Sequence, residues 1–139
     1  MIVHCEHTAM IRYETDAPIS ADQFIDLLDR SGLAARRPVD DRTCIEGMVE
    51  NADITVTAWH DEVLVGIARS VTDYSYCCYV SDLAVDRALQ RSGIGKQLLD
   101  LTRAQVGPRC KLLLFSAPSA QSYYPHVGFE NNPNGWVRE

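Results

Sequence analysis

Apolar residues alternate with polar ones near the start of the chain and then recur at helical spacing. Residues 11 to 15 alternate and predict a first strand. Ser20 and Gln23 form a capping-box pattern ahead of an apolar helical stripe, and Gly32 is expected to end that helix. A second helix is predicted after Pro38 from four residues that fall on one face: Cys44, Ile45, Met48 and Val49.

The pattern becomes extended from Asp53 onward. Three runs rich in β-branched and aromatic residues are separated by turn residues and predict an antiparallel meander; they cover residues 53–60, 63–69 and 76–85. A short apolar run at 111–115 predicts a further strand, covered on both faces and parallel to the strand at 76–85.

Between these last two strands lies a glycine-containing segment, residues 90–96, followed by a helical pattern. The predicted apolar face of this helix is formed by Ile94, Leu98, Leu101 and Thr102. Gly107 and Pro108 should end it. The sequence thus predicts a strand, a glycine loop, a helix and a parallel strand, connected by a right-handed crossover.

Composition places the chain among ordinary globular proteins. Its 139 residues are 46% hydrophobic and 23% charged, and we expect one domain spanning residues 1–139. No apolar run approaches the ~20 residues of a membrane helix, and the first residues lack a basic start followed by an apolar run, so we expect a cytoplasmic protein without membrane contact. The net charge of −6 argues against a nucleic-acid partner.

Cysteine usage suggests neither a disulfide framework nor a zinc ribbon. The five residues are odd in number and lack CxxC spacing, so reduced and mostly buried thiols are expected at Cys5, Cys44, Cys77, Cys78 and Cys110. The cluster at residues 4–7, His-Cys-Glu-His, lacks distant ligands at finger-like spacing, and we expect no metal site. The chain also lacks the motifs of a serine-hydrolase elbow and of a zinc protease.

The glycine loop bears the clearest chemistry. Amide N–H groups at a helix start have no internal partners, and Gly93 and Gly95 would let an anion approach the backbone. The loop is not a Walker loop, because only Ile94 separates the glycines, and Leu98 stands where a dinucleotide fingerprint has its third glycine. Taken alone, the loop fits either a phosphate site or a tight strand-to-helix turn.

A second motif accompanies the loop at a definite distance. Gln90-x-x-Gly-x-Gly follows a strand ending at Val85, and some thirty residues later comes Tyr123-Tyr124-Pro-His-Val-Gly-Phe129. Over residues 54–129 the sequence resembles the GNAT superfamily of acyl-CoA N-acyltransferases. The resemblance implies an α/β fold of the GNAT type: a central, mostly antiparallel mixed sheet with a splayed parallel pair, flanked by helices.

The resemblance also implies acetyl-CoA as cosubstrate and assigns residues to it. The pyrophosphate would be held by the loop, comprising Gln90, Arg91, Ser92, Gly93, Ile94, Gly95 and Lys96. The pantetheine arm would pair with the strand at Leu83, Ala84 and Val85. An asparagine that many members place seven residues before the family tyrosine is replaced here by Ala117, so that contact is expected to be lost.

Two side chains are predicted to be catalytic. Tyr124 aligns with the family tyrosine near the cofactor sulfur and would protonate the leaving thiolate, although Pro125 is expected to end or kink its helix early. Asp82 aligns with an acidic residue of polyamine-acetylating relatives and could steer a cationic amine, deprotonate it through water, or only hydrogen-bond locally. His126 has the chemistry of a base but is expected to be exposed and idle.

The resemblance predicts an N-acetyltransferase acting by direct attack in a ternary complex. A small cationic amine is the favoured acceptor, because the acidic chain and Asp82 would attract it. A peptide N-terminus or lysine is the enzymatic alternative, and a non-catalytic acyl-CoA-binding regulatory module is the alternative from another class. A homodimer is left open.

Overall fold

Five strands in sequential order form one sheet in the part of the chain that the computed structural model describes, residues 10 to 139. The strands are β1 (Ile11–Glu14), β2 (Ile54–His60), β3 (Val63–Thr72), β4 (Cys77–Val85) and β5 (Lys111–Leu113). The α-helices are α1 (Ala21–Ser31), α2 (Arg42–Asn51) and α3 (Ile94–Ala104). Residues 1–9 lie outside this description, and with them Cys5 and the cluster at residues 4–7.

Strands β1 to β4 are antiparallel to their neighbours, whereas β5 runs parallel to β4. The predicted meander and the strand–helix–strand crossover through α3 are therefore confirmed. The α/β fold class, with a mostly antiparallel sheet and one parallel pair, is confirmed as well. No helix in residues 10–139 has the length and apolar character needed to cross a membrane.

The two faces of the sheet are covered by different helices. On one face α1 and α2 pack with Phe24 and Ile45 against sheet residues that include Ile67. On the other face α3 packs with Ile94 and Leu98 against β2 and β3. Burial of these apolar stripes is the main favourable contribution to folding, at roughly 25 cal/mol for each Å² removed from water.

Helix α1 has the termini that its sequence predicts. The Ser20 hydroxyl accepts from the Gln23 amide at 3.0 Å, and the Gln23 side chain accepts from the Ser20 amide at 2.9 Å, which completes the capping box. At the other end Gly32 adopts a left-handed φ of +84°. The guanidinium of Arg87, from the segment after β4, lies over Gly32, and this exposed side chain would have to move to admit a Cβ there.

Replacing Gly32 by alanine is expected to lower the free energy of unfolding by about 1–2 kcal/mol, because alanine is strained at a φ of +84°. Gly47, inside α2 with open space around it, provides the matched control. Gly47→Ala should raise the free energy of unfolding by roughly 0.5–1 kcal/mol. Urea unfolding of both variants measures the difference, and an equal response would contradict the strain at Gly32.

The expectation that residues 111–115 form a strand covered on both faces is wrong. Strand β5 spans only Lys111–Leu113, and the side chains of Leu113 and Phe115 are 50% and 61% exposed. It is the edge strand of the sheet, and in residues 10–139 no further strand pairs with its outer side. The side chains of this apolar run therefore contact the rest of the protein on one face of the strand only.

The predicted burial of the cysteine thiols is confirmed only in part. Cys78 and Cys110 are buried, as expected, but Cys44 and Cys77 are exposed. Cys77 and Cys78 do point to opposite sides of β4, as neighbours in a strand must. Cys44 is exposed because the inward face of α2 is narrow: only Ile45 is fully buried there. In residues 10–139, His, Cys, Asp and Glu form no cluster suited to a metal ion.

Candidate active site

A cleft of about 1110 Å³ opens where β4 and β5 separate. The two strands pair only from Cys77 with Lys111 to Tyr79 with Leu113. Beyond that point β4 continues to Val85 while β5 ends, so the β4 edge from Val80 onward is not paired by β5. An extended ligand backbone placed in the cleft could hydrogen-bond to this edge.

A β-bulge lies in β4 beside the cleft. Opposite β3, Asp82 pairs with Arg69 and Val80 pairs with Ser70, so Ser81 is an extra residue without a partner on β3. Bulges re-aim side chains and take backbone groups out of the ladder, and they are frequent next to active sites. Ser81 lines the cleft at this position.

The turn leading into α3 presents unpaired backbone donors to the cleft. Gly93, the N-cap of α3, has φ +86°, and Arg91 also has a positive φ of 68°. The first amide of the helix to find a partner is that of Gln97, which donates to Gly93 O at 3.1 Å. Within the described chain, no amide from 91 to 96 donates a hydrogen bond to a protein group. We call residues 91–96 the amide turn; its donors and the helix dipole favour an anion.

Side chains of the loop stabilise the turn itself. Gln90 donates from Nε2 to Val85 O at 3.0 Å, and the Ser92 hydroxyl donates to Leu89 O. Lys96 pairs with Asp100 at 2.7 Å on the exposed face of α3. The loop residues predicted to bind the cofactor, except Ser92, line the cleft together with Leu83, Ala84 and Val85 of β4. Their contacts with a cofactor remain predictions.

Tyr124 also lines the cleft, although not from an α-helix. It starts a single 3-10 turn, Tyr124–Val127, with Pro125 as the second residue. The sequence places a helix here that Pro125 shortens; in the structure the segment is reduced to this turn and a second one, Pro118–Ala120. Proline lacks an amide donor, so it fits the first turn but does not support a longer helix.

The phenol of Tyr124 is packed but unbonded. Its ring contacts Tyr123 and Phe129 edge-to-face, with centroids 5.3 and 5.6 Å apart. The hydroxyl makes no hydrogen bond to any residue from 10 to 139. Burial raises the pKa of Tyr124, an effect that the positive charge of Arg37 partly opposes. Tyr124 is therefore protonated at neutral pH and available as a donor.

Tyr123 occupies a different part of the cleft wall. A Cβ at position 95 would lie 2.6 Å from its hydroxyl oxygen, so the missing side chain of Gly95 makes room for this phenol. Burial raises the pKa of Tyr123 as well, and the carboxylate of Asp100 adds to that effect. Tyr123 thus connects the segment after β5 to the start of α3.

Asp82 does not face the cleft as a free carboxylate. Its side chain is 0% exposed, and its two oxygens accept from Nε of Arg37 and from Nε of Arg69. The Arg69 side chain is 7% exposed and that of Arg37 is 21% exposed. Of the three roles left open for Asp82, local hydrogen bonding is the one that this arrangement displays.

The cleft is basic although the chain is acidic. No aspartate or glutamate is among the described residues that line it, whereas five basic side chains do: Arg36, Arg37, Arg87, Arg91 and Lys96. Exposed His126 lines it as well. The argument that overall acidity would attract a cationic acceptor therefore does not hold at the cleft itself.

Two features of the site were not predicted from the sequence: the bulge at Ser81 and the arginine pair on Asp82. Nothing in the local pattern marks Ser81 as a bulge, and the arginine pair on Asp82 joins residues 13 and 45 positions away in the chain. A usable signal was the arginine at position 69 inside an otherwise apolar strand, since a buried charge requires a partner.

Comparison with known proteins bears on the family and the fold of the chain. A family model described as "Acetyltransferase (GNAT) domain" matches residues 33–137. The "Uncharacterized N-acetyltransferase ycf52" of Gracilaria tenuistipitata var. liui is 24% identical over 132 residues, covering 84% of this chain and 69% of its own. Four further curated relatives are longer, and the chain covers only 30–58% of their length.

Solved structures share the fold at low identity. The GNAT-family acetyltransferase SP0256 from Streptococcus pneumoniae TIGR4 superposes with a TM-score of 0.71 at 20% identity, covering 93% of this chain and 98% of that one. The aminoglycoside N-acetyltransferase AAC(6')-Iy, solved in complex with CoA, gives a TM-score of 0.70 at 16% identity and covers 93% of each chain. At such identities the likeness shows the fold alone.

Proposed function

Because the chain belongs to the GNAT acetyltransferase family, we propose that it transfers an acetyl group from acetyl-CoA to a primary amine. The observation that carries this proposal is the unpaired β4 edge lying beside the amide turn in one cleft. The unpaired β4 edge can hydrogen-bond to the amide groups of an extended pantetheine arm, and the amide turn can donate hydrogen bonds to a pyrophosphate. The CoA complex of AAC(6')-Iy supports the choice of cosubstrate.

Residues at the amide turn support acetyl-CoA as the ligand of the cleft. Arg91 extends from the amide turn and makes no ion pair with residues 10–139, so its charge is available to a phosphate. Gly93 places no side chain over the turn, and the space around it is open, whereas the space beside Gly95 is taken by the Tyr123 hydroxyl. Acetyl-CoA supplies an activated acyl carbon when it is bound; orientation and proton transfer are left to the protein.

We assign the following roles to the chain's own residues. The backbone at the Ser81 bulge donates to the thioester oxygen and polarises it. Tyr124 gives its proton to the departing thiolate, so that the thiol leaves neutral. The amine attacks in its neutral form, after losing a proton to water in the open cleft. As the C–S bond breaks and the amide forms, the second proton released by the nitrogen passes through water to the Tyr124 phenolate and restores the phenol. Asp82 acts as a positioning residue, because steering or deprotonating an amine would require it to release an arginine.

Aminoglycosides carry several amino groups, so the neighbour that acts on them supports a small amine as acceptor. A peptide or lysine acceptor is a second candidate. Thiol release from acetyl-CoA, followed with small amines and with short peptides, tests transfer and separates these acceptor classes. Stabilisation by acetyl-CoA with no thiol release above background for any amine would instead favour the non-catalytic acyl-CoA-binding module.

Arg91→Glu is expected to weaken acetyl-CoA binding by about 10-fold or more, because it removes an attractive charge and adds a repulsive one at the amide turn. The increase in Tm at a fixed acetyl-CoA concentration should shrink accordingly. Arg109→Glu makes the same charge change on an exposed residue that does not line the cleft, and it should leave the increase unchanged. Equal increases in both variants would refute the assignment of the turn.

A further inference from the structure

We propose that the acceptor is an amine that also carries a carboxylate, and that Arg37, with Arg36 beside it, binds that carboxylate. This inference rests on the proposed function, since it concerns the second substrate of the same cleft. It also reverses the charge expected of the acceptor from the sequence.

The charges around Asp82 do not cancel. One buried carboxylate is shared by two guanidinium groups, which leaves one positive charge in excess. No other aspartate or glutamate of the described chain lies within 4 Å of either arginine. Arg37 is the member of the group that reaches the cleft, since its side chain is the most exposed of the three. The excess charge is therefore presented to whatever occupies the cleft there.

Arg37 retains hydrogen-bond donors for a ligand. It donates from Nε to Asp82, from Nη1 to Arg36 O at 2.8 Å, and from Nη2 to Ser81 O at 2.8 Å. A guanidinium has five N–H groups. Two of them remain, one on each terminal nitrogen, on a side chain that three contacts hold in place. A held guanidinium binds a carboxylate with a smaller loss of side-chain entropy than a free one.

The position of Arg37 matches the acceptor end of the cleft and not the phosphate end. It contacts Ser81, which precedes Val85 by four residues, or roughly 13 Å along an extended strand. The amide turn follows the Val85 end of β4, whereas Arg37 contacts Ser81 at the other end of this strand segment. Arg37 and Tyr124, the proposed proton donor, line the same cleft, and the positive charge of Arg37 partly opposes the raised pKa of Tyr124. We therefore place Arg37 at the acceptor end of the cleft.

Arg36 adds to the positive charge at the acceptor end of the cleft. It is the residue next to Arg37, lines the same cleft, and its exposed side chain makes no hydrogen bond or ion pair within residues 10–139. A purely cationic acceptor would meet two like charges and no carboxylate. An amine with a nearby carboxylate gains a charge-assisted contact in the same place.

The test compares amino acids with their carboxamides. A panel of α-, β- and γ-amino acids is paired member by member with the corresponding amides, and spermidine serves as the cationic reference. Thiol release gives kcat/KM for each. Amidation also alters the pKa of the amine, so affinity for the CoA-bound protein is measured calorimetrically as a second readout. In at least one pair the carboxylate should be favoured about 10- to 100-fold in both readouts.

Three variants at two positions identify the residues that bind the carboxylate. Arg36→Gln should reduce the preference several-fold without loss of stability, and Arg37→Met should abolish it, whereas Arg37→Lys should retain part of it. Arg109→Gln removes the same charge outside the cleft and should leave the preference intact. If Arg37→Met does not fold, Arg37→Lys and Arg36→Gln together decide: a preference unchanged in both overturns the inference.

The outcomes separate this inference from the proposed function. Turnover that is equal for carboxylate and amide, or highest for spermidine, overturns the inference and leaves acetyl transfer standing. Tighter binding of the carboxylate to the CoA-bound protein without thiol release supports the subsite and overturns transfer. Equal affinity within every pair, including no binding by either member, overturns the inference.

Discussion

Tyr124→Phe is expected to lower kcat by about 100- to 10,000-fold at neutral pH, which is the usual contribution of general acid catalysis. The substitution keeps the ring and its edge-to-face contacts with Tyr123 and Phe129. The hydroxyl that is lost makes no hydrogen bond to a residue from 10 to 139, so Tm and acetyl-CoA affinity should stay near wild type. Single-turnover kinetics are the appropriate measurement, because they exclude product release.

Tyr123→Phe is the matched control for this result. It removes a neighbouring phenol whose oxygen lies against Gly95, and we expect only a small change in kcat. Burial raises the pKa of Tyr124, so any loss of rate through its ionisation should begin above the ordinary tyrosine value of about 10. A Tyr124→Phe variant that retains near-full kcat would leave water or Tyr123 as the proton donor.

Asp82→Asn is expected to lower the free energy of unfolding by about 3–5 kcal/mol, because it leaves two largely buried guanidinium groups without their shared carboxylate. The shape of the side chain hardly changes, so the loss is electrostatic. Urea denaturation of the free protein measures it. Asp100→Asn, which removes the exposed partner of Lys96, should change stability by less than about 1 kcal/mol.

The opposite pattern would restore the catalytic hypothesis for Asp82. If stability is nearly unchanged while KM rises more for a cationic amine than for a neutral one, the carboxylate contacts the acceptor during turnover. In that case Arg37 must swing away from Asp82 when substrate binds.

Features determined by neighbouring residues could be predicted from the sequence. Ser20 and Gln23 cap α1 through bonds across three residues, and Gly32 ends it because the left-handed conformation is a local requirement. The glycine loop and the helix after it follow from the same local chemistry. The residues that determine these elements lie within a few positions of them in the sequence.

Features determined by residues distant in the chain could not be predicted from the sequence. The run at 111–115 is apolar enough for a central strand, but its exposure depends on what else reaches that edge of the sheet. Asp82 looks like a free acid in its own segment and is neutralised by Arg37, 45 positions away. Pro125 predicts a short helix, but the length of the helix, here a single 3-10 turn, depends on tertiary contacts.

The separation of charge between the body and the cleft has a kinetic consequence. An anion approaching the protein first experiences the field of a chain with net charge −6, and only within about 8 Å, the Debye length at physiological salt, does it experience the basic cleft lining separately. If CoA binds as proposed, long-range steering contributes little to its encounter rate, and Arg91 at the amide turn acts chiefly by slowing its departure. Added salt should accordingly shorten the residence time of the cosubstrate much more than it changes the rate at which it arrives.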